Sequence, residues 1–409
     1  MQTLVHLFKL FTGPSMLGMA SIIRSGGLLF GLVGYLLVGY LNTSCNILVV
    51  KCAHMITHRT GRTNMHFEHL MEECVLLHTE YRHCRRMASW IRKTTLCFIV
   101  MCQIGFLCFY IKIIGTMLQS ELVRLITNYP LSMAMTQLVV CVALIPYMWL
   151  RSLKLLAWAS LLGNIFTLVC AVTILQVSVR SLQPVSHVPL INTDMWMLPV
   201  LVGSSVFSVE GITMTIPVHN KTKNPRDFGG ACGLLMVATT CTLCLNSAIG
   251  FFAYLSVGDE VTGNLLVTLP NEWGYTAVKF AYALVVFLTF ALQGYLPGEI
   301  LAAKIKESSK IDVVTRQADK IARTAVVVVT YLVAALIPNV ELAMSLCGSF
   351  TVVFIVFIFP PVAEMLILSK DEGGVPKLVL VKDCAILVFG VLAFFTGTYT
   401  SIRDIILAF

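Results

Sequence analysis

The residues of this sequence best suited to chemistry lie between Gly203 and Pro217, reading G-S-S-V-F-S-V-E-G-I-T-M-T-I-P. Glycines, serines and the carboxylate of Glu210 sit there inside a long apolar segment. A carboxylate in hydrocarbon costs at least about 2.5–3.5 kcal/mol, so it faces a partner or a water-filled cavity. Glycine and serine weaken a helix where it can unwind, and irregular backbone at membrane depth survives only where it lines a cavity or is covered by protein. A broken helix beside a buried acid is the pattern of a substrate site in a secondary transporter. The same residues also suit a continuous helix whose small side chains allow close packing and whose glutamate pairs with a neighbour.

A second interruption lies at residues 11 to 20, F-T-G-P-S-M-L-G-M-A. Pro14 cannot donate an intrahelical hydrogen bond and crowds the preceding turn, and Gly13 and Gly18 loosen the segment further. The two interruptions fall five spans apart, in segments that run in opposite directions. Corresponding breaks in oppositely oriented halves predict an inverted repeat with the site between them. A proline kink that serves packing alone is the competing reading for the first.

The elements that must position these residues follow from composition. The chain has 409 residues, 57% hydrophobic and 12% charged. A soluble protein is about 45–50% apolar and about 25% charged, so this is an all-α polytopic membrane protein. The first apolar run continues past Met16 into Ile23 without an A-x-A-like site, and no cleavable signal peptide is expected. Stretches of about 20 apolar residues predict eleven spans: 3–24, 28–56, 95–120, 132–150, 155–179, 195–218, 228–256, 276–302, 322–338, 340–367 and 378–407. Pro338 and Asn339 make the ninth and tenth a tight-turned pair.

Lys and Arg concentrate in alternate loops: Lys51 to Lys93, Arg151 and Lys154, Lys221 to Arg226, Lys304 to Arg323, and Lys370 to Lys382. The positive-inside rule makes these cytoplasmic. The N-terminus is then cytoplasmic and the C-terminus extracellular or lumenal. The net charge of +8 resides in those loops, so no nucleic-acid partner is implied. The 57–94 loop contains E-H-L-M-E-E-C-V-L-L-H, which predicts a short amphipathic helix along the cytoplasmic interface. His58, His66, His69, His78 and His83 gather in it without metal-ligand spacing and read as a solvated face. The cysteines, among them Cys97, Cys102, Cys108, Cys141, Cys170, Cys241 and Cys244, lie in apolar runs and read as buried free thiols. Lys112, deep in the third span, needs a partner from another helix or from water. No P-loop, nucleophile elbow or metal motif is present, and no enzyme is expected.

The motifs T-L-V-H-L (3–7), V-V-K-C-A-H (49–54), F-S-V-E-G-I (207–212), K-N-P-R-D-F (223–228), L-P-N-E-W (269–273), Y-A-L-V-V-F-L-T-F-A-L-Q-G-Y-L-P-G-E-I (282–300), P-P-V-A-E (360–364) and G-T-Y (397–399) run in register along the whole chain. In them the sequence resembles the amino acid/auxin permease family, and most closely its proton-coupled amino acid transporters. The resemblance implies a LeuT-like five-plus-five inverted repeat with broken helices 1 and 6. Residues 1–180 form the first repeat, 181–368 the second and 369–409 an additional last helix, all in one membrane domain. It implies symport of small neutral amino acids with protons, with no other cofactor, in the plasma membrane or a lysosomal or endosomal membrane. Oligomeric state is left open.

By the same resemblance, His6 and Glu210 are the expected proton-coupling residues, though His6 also suits a helix end at the interface. Glu299 matches a family acid and reads as structural, being near a cytoplasmic helix end. The substrate carboxylate is expected at the N–H groups of Gly13, Ser15 and Met16, and its amino group at carbonyls from Ser204 to Phe207, with Phe207 as a candidate gate. The family's first-span motif resembles G-T-G followed by L-L-G-L-P; here Gly13-Pro14-Ser15 and Met16-Leu17-Gly18-Met19-Ala20 stand in its place. Pro14 removes a donor, and the Ser15 hydroxyl either replaces it or fills the pocket. The departure motivates an alternative: a non-transporting amino-acid sensor of the same fold. The outer loops lack the cysteine pair that resembles a family disulfide, so no extracellular bridge is expected.

Overall fold

The computed structural model describes residues 4, 7–8, 11–62, 65–78, 82–126, 132–149, 153–220, 222, 228–230, 233–308, 312–370 and 373–408. All regular structure in them is helical. Leu4, Leu7, Phe8 and Phe11 are helical and lead, through Thr12 and Gly13, into a 3-10 turn over Pro14–Gly18. Then follow α1 (Met19–Gly26), α2 (Leu28–Thr60), α3 (Phe67–His78), α4 (Arg82–Ile126), α5 (Met133–Met148), α6 (Leu153–Arg180), α7 (Met197–Ser208) and α8 (Ile212–Asn220). After them come α9 (Leu234–Val257), α10 (Trp273–Gln293), α11 (Tyr295–Ser308), α12 (Asp312–Leu336), α13 (Val340–Cys347), α14 (Phe359–Leu368) and α15 (Lys377–Leu407).

Among the described residues, eight helical stretches are long and apolar enough to cross a membrane, counting α7 with α8, α10 with α11, and Val340–Leu368 as single stretches. α5 is apolar but has 16 residues, which at about 1.5 Å per residue falls short of a bilayer core about 30 Å thick. Leu37, Val139, Val142, Leu392 and Phe395 are exposed on outward faces, where lipid takes the place of water. The same holds for Cys97, Cys241 and Cys244, which are exposed. The sequence pattern placed them inside because an apolar run does not reveal which side of its helix meets protein. Cys102, Cys108, Cys141 and Cys170 are buried.

The connections have specific causes. Gly27 turns α1 into α2 with φ of 86°, and a Cβ there would lie 2.7 Å from the Asn192 nitrogen. The side chain of Asn339 accepts from the Leu342 N–H at 2.9 Å and starts α13 directly after α12. Lys112 finds its partners at that corner: its Nζ donates to the Ile337 carbonyl and, at 3.4 Å, to the Pro338 carbonyl. A cation thus meets the open carbonyl end of α12, where the helix dipole favours it. Glu299 is engaged by Arg323 at 2.9 Å, and Arg323 also donates to the Met148 carbonyl, so the acid holds α11 to α12 near α5.

α13 continues into α14 through two π-helical turns, Gly348–Val352 and Phe354–Ile358. The first lies against α7, the second mainly against α15. A Cβ on Gly348 would collide with the Gly203 carbonyl, and one on Gly203 with Ser349 Oγ. The glycines of the 203–217 stretch therefore also serve close packing. At the lysine-rich end, Glu364 of α14 accepts from Lys51 of α2 at 2.7 Å and from Lys382 of α15 at 2.5 Å.

α3 departs from the expected surface helix. Phe67, Leu70, Met71, Cys74 and Val75 are buried, and the Phe67 and Phe359 ring centroids are 6.2 Å apart. Its apolar face is satisfied by α4 and α14; an amphipathic pattern alone does not distinguish a protein neighbour from a lipid surface.

Candidate functional site

The two interruptions seen in the sequence are breaks in space, and they meet. The first is the Thr12–Gly18 segment. Met16 N–H closes the 3-10 turn on the Gly13 carbonyl at 3.2 Å. The Ser15 N–H precedes that first closed turn, where a helix start leaves its donors to other partners. The second break is Val209–Gly211, between α7 and α8. Ser15 Oγ donates to the Ser208 carbonyl at 3.2 Å and ties one break to the other. A Cβ on Gly211 would run into the Phe11 ring, so glycine is what lets the two segments approach.

Between them is a hollow of about 60 Å³. Its polar lining comes from Ser15, Ser208, Glu210, Thr213 and Gln293, its apolar lining from Phe11, Pro14, Phe106, Phe109, Tyr110, Phe207 and Met214, with Gly13 completing it. Phe207 stacks on Phe106 with centroids 4.4 Å apart and meets Phe109 edge-on at 5.2 Å. A water needs ~10–15 Å³ by this measure, so the hollow takes roughly four to six. That matches the heavy-atom content of the smallest amino acids.

Glu210 is 9% exposed. Its Oε1 accepts from Thr213 N–H at 3.4 Å and from Thr213 Oγ1 at 3.2 Å. The carboxylate caps the start of α8, where exposed N–H groups and the helix dipole favour negative charge. The break is braced from α2 as well. Asn46 donates to the Asn42 side chain at 2.7 Å, and Thr215 of α8 donates to Asn46 Oδ1 at 2.8 Å. Asn42 reaches the Val206 carbonyl at 3.5 Å.

Of the expected site residues, Gly13, Ser15, Phe207 and Glu210 share the hollow. Met16 and Ser204 do not line it. Met16 is fully buried with its N–H already bonded to Gly13, and Ser204 is buried within α7. The carbonyls expected to meet an amino group are also displaced in register. Those of Ser205 and Phe207 take bonds from Ser208 Oγ and the Glu210 N–H, while the helix opens only after Ser208. Glycine and serine showed that the segment breaks but not at which residue. His6 lies outside the described residues. Asn42, Asn46, Tyr110 and Gln293 were not read from the sequence. Two asparagines four apart in an apolar span, and the run F-L-C-F-Y over 106–110, are the signals that pointed to them.

Toward the loop that carries Asp259 and Glu260, Arg24 fastens the end of α1 to its neighbours. It donates to the Val261 carbonyl at 2.8 Å, the Asp259 carbonyl at 3.1 Å and Glu341 Oε2 at 2.7 Å. The Leu265 N–H bonds the Leu17 carbonyl at 3.0 Å, fastening the segment after α9 to the first break.

The sequence profile of the family described as transmembrane amino acid transporter protein matches residues 1–403. A Drosophila melanogaster protein named "Proton-coupled amino acid transporter-like protein pathetic" is 28% identical over 413 residues, covering 100% of this chain and 85% of its own length. A Caenorhabditis elegans protein named "Probable amino acid transporter skat-1" is 25% identical over 404 residues, covering 94% of this chain and 85% of its own length. The chain belongs to the transmembrane amino acid transporter protein family: it is an integral membrane protein of a transporter family, not an enzyme.

Proposed function

We propose that the protein is a secondary active transporter that moves small neutral amino acids together with protons by alternating access. The observation that carries the reading is the meeting of two helix breaks at one small hollow with mixed polar and aromatic walls. In this reading eleven spans cross the bilayer. Residues 1–180 and 181–368 form two inverted five-helix repeats, and 369–409 adds the last helix. The N-terminus is cytoplasmic and the membrane is the cell surface or an acidic organelle.

The substrate carboxylate is received by the N-terminal end of the first break around Gly13 and Ser15, where helix-start donors favour anions. Its amino group meets the carbonyl side of the second break at Ser208, beside Glu210. Met16 and Ser204 then support the segments rather than touch the ligand. The aromatic wall leaves space for little or no side chain, which favours glycine or alanine.

Glu210 joins substrate and proton. As a carboxylate it holds the start of α8; a proton on it removes the charge that favours that cap and loosens the segment. His6 is the proposed second proton site by the family resemblance. The name of the Drosophila relative supports proton coupling.

Uptake of labelled glycine, alanine and proline into proteoliposomes, with and without an inward acid gradient, tests the reading. Gradient-stimulated uptake that Glu210→Gln makes indifferent to pH is expected. Uptake unaffected by the gradient removes the coupling, and no uptake of any amino acid removes the transport.

One observation favours a second reading, an amino-acid sensor. Pro14 offers no donor to the hollow, and the Ser15–Ser208 bond already occupies a carbonyl at the second break. Thermal stabilisation by an amino acid without flux distinguishes a sensor from a transporter.

A further inference from the structure

Away from the two breaks, α4, α11 and α12 leave a groove of about 430 Å³ between them. Its walls are mainly aliphatic, with Ile104, Leu301 and Val329 among them. Val329 and Cys97 are exposed, so the groove opens sideways, toward the space that lipid fills around these helices.

One end of this slot is cationic. Lys112 of α4 reaches Ile337, just past the end of α12, so α4 and α12 run side by side in the same direction. α11 immediately precedes α12 and packs against it as a hairpin, running the other way. The last groove residue of α11, Lys304, therefore lies at the same end as the first of α4, Lys93. Three nearby basic side chains are already paired. Arg92 lies 3.3 Å from Glu72, Lys306 2.9 Å from Asp319, and Arg323 2.9 Å from Glu299. Among the described residues no carboxylate pairs with Lys93 or Lys304.

Two ammonium groups that no described carboxylate pairs, set over an apolar slot, fit a ligand with an anionic head and a hydrocarbon tail. Basic recesses between membrane helices take lipid head groups in this way, and lysine stems can lie along apolar surface while the charge reaches the interface. We propose that the groove binds an anionic phospholipid, its phosphate held between Lys93 and Lys304 and one acyl chain lying along Ile104, Leu301 and Val329. The lipid would then brace α11, the helix that directly follows Gln293 of the central hollow.

The test is native mass spectrometry of the full-length protein released from symmetric bilayers of phosphatidylserine and phosphatidylcholine in equal amounts. Symmetric bilayers make the result independent of how the chain inserts and of whether it transports. Wild type should retain phosphatidylserine in preference to phosphatidylcholine. At about fivefold for each surface lysine, Lys93→Gln with Lys304→Gln should lower that preference about 25-fold. Lys306→Gln, whose charge is already paired, should leave it unchanged. Ile104→Trp, which fills the slot and keeps both charges, should lower it too. Equal retention of the two lipids by wild type, an unchanged preference in the double variant, or an equal loss in Lys306→Gln would overturn the proposal. Unchanged melting of each variant in detergent excludes misfolding as the cause.

Discussion

The Ser15 hydroxyl joins the two breaks by a single bond to the Ser208 carbonyl, at 3.2 Å and buried. If the ligand's amino group uses that carbonyl, it must displace the hydroxyl. A neutral hydrogen bond nets about 0.5–1.5 kcal/mol. At about 1 kcal/mol, with about 1.4 kcal/mol per tenfold, the competition is worth about fivefold in affinity. Ser15→Ala removes the donor and keeps nearly the same volume, so glycine binding should tighten about fivefold. Ser15→Gly loses the same bond and widens the hollow beyond its present 60 Å³ or so, so it should tighten glycine similarly and admit larger substrates. Isothermal titration of the purified protein with glycine, alanine and valine reads both effects. Weaker glycine binding by Ser15→Ala would refute the reasoning, because the hydroxyl would then be a ligand contact rather than a strut. Equal affinities in all three proteins would show that the Ser208 carbonyl is not used.

Gly203→Ala should lower stability by about 1–3 kcal/mol, the usual cost of overpacking, since the new methyl would lie 2.8 Å from the Ser345 carbonyl and collide with Ser349 Oγ. Adding Ser349→Gly should recover only part of it in thermal unfolding, because the backbone oxygen stays; full recovery would contradict that contact. Arg24→Ala should cost about 1.5–3 kcal/mol, in the range of hydrogen bonds to charged groups, and should raise labelling of a Leu265→Cys variant, buried in the intact protein, by a membrane-impermeant thiol reagent. Glu341→Gln should do less, since the carbonyl bonds of Arg24 to Asp259 and Val261 remain; equal labelling in both and in wild type would rule out Arg24 as the fastening.

Much of this was legible in advance because membrane segments declare themselves by length and apolarity. The helices fall on nearly the segments expected, and Pro14 and the glycine- and serine-rich stretch around Glu210 mark breaks that exist. Lys112 announced itself as a charge in need of a partner, and Ile337 supplies it. Two quoted motifs also meet: Lys51 of V-V-K-C-A-H pairs with Glu364 of P-P-V-A-E. What stayed hidden depends on rotation and register. Helical periodicity did not say which side of α4 or α9 met lipid, hence the exposed Cys97, Cys241 and Cys244. Nor did composition say that α7 stays wound through Phe207, which moved the opening past Ser204. Asn42 and Asn46 were passed over because an amide in an apolar helix carries no charge to force a question.

Those amides carry a mechanical consequence. Asn46 grips Asn42 along its own helix and Thr215 across the gap, so the nine residues of α8 are leashed to the 33 of α2. Swivelling the short helix alone about Val209–Gly211 would snap that leash and leave the Asn46 side-chain carbonyl oxygen without its Thr215 donor inside the protein. A stroke made at the hinge is therefore biased toward gearing: α8 tilts at lower cost when its longer neighbour comes along, which spreads a local flex into the movement of a panel.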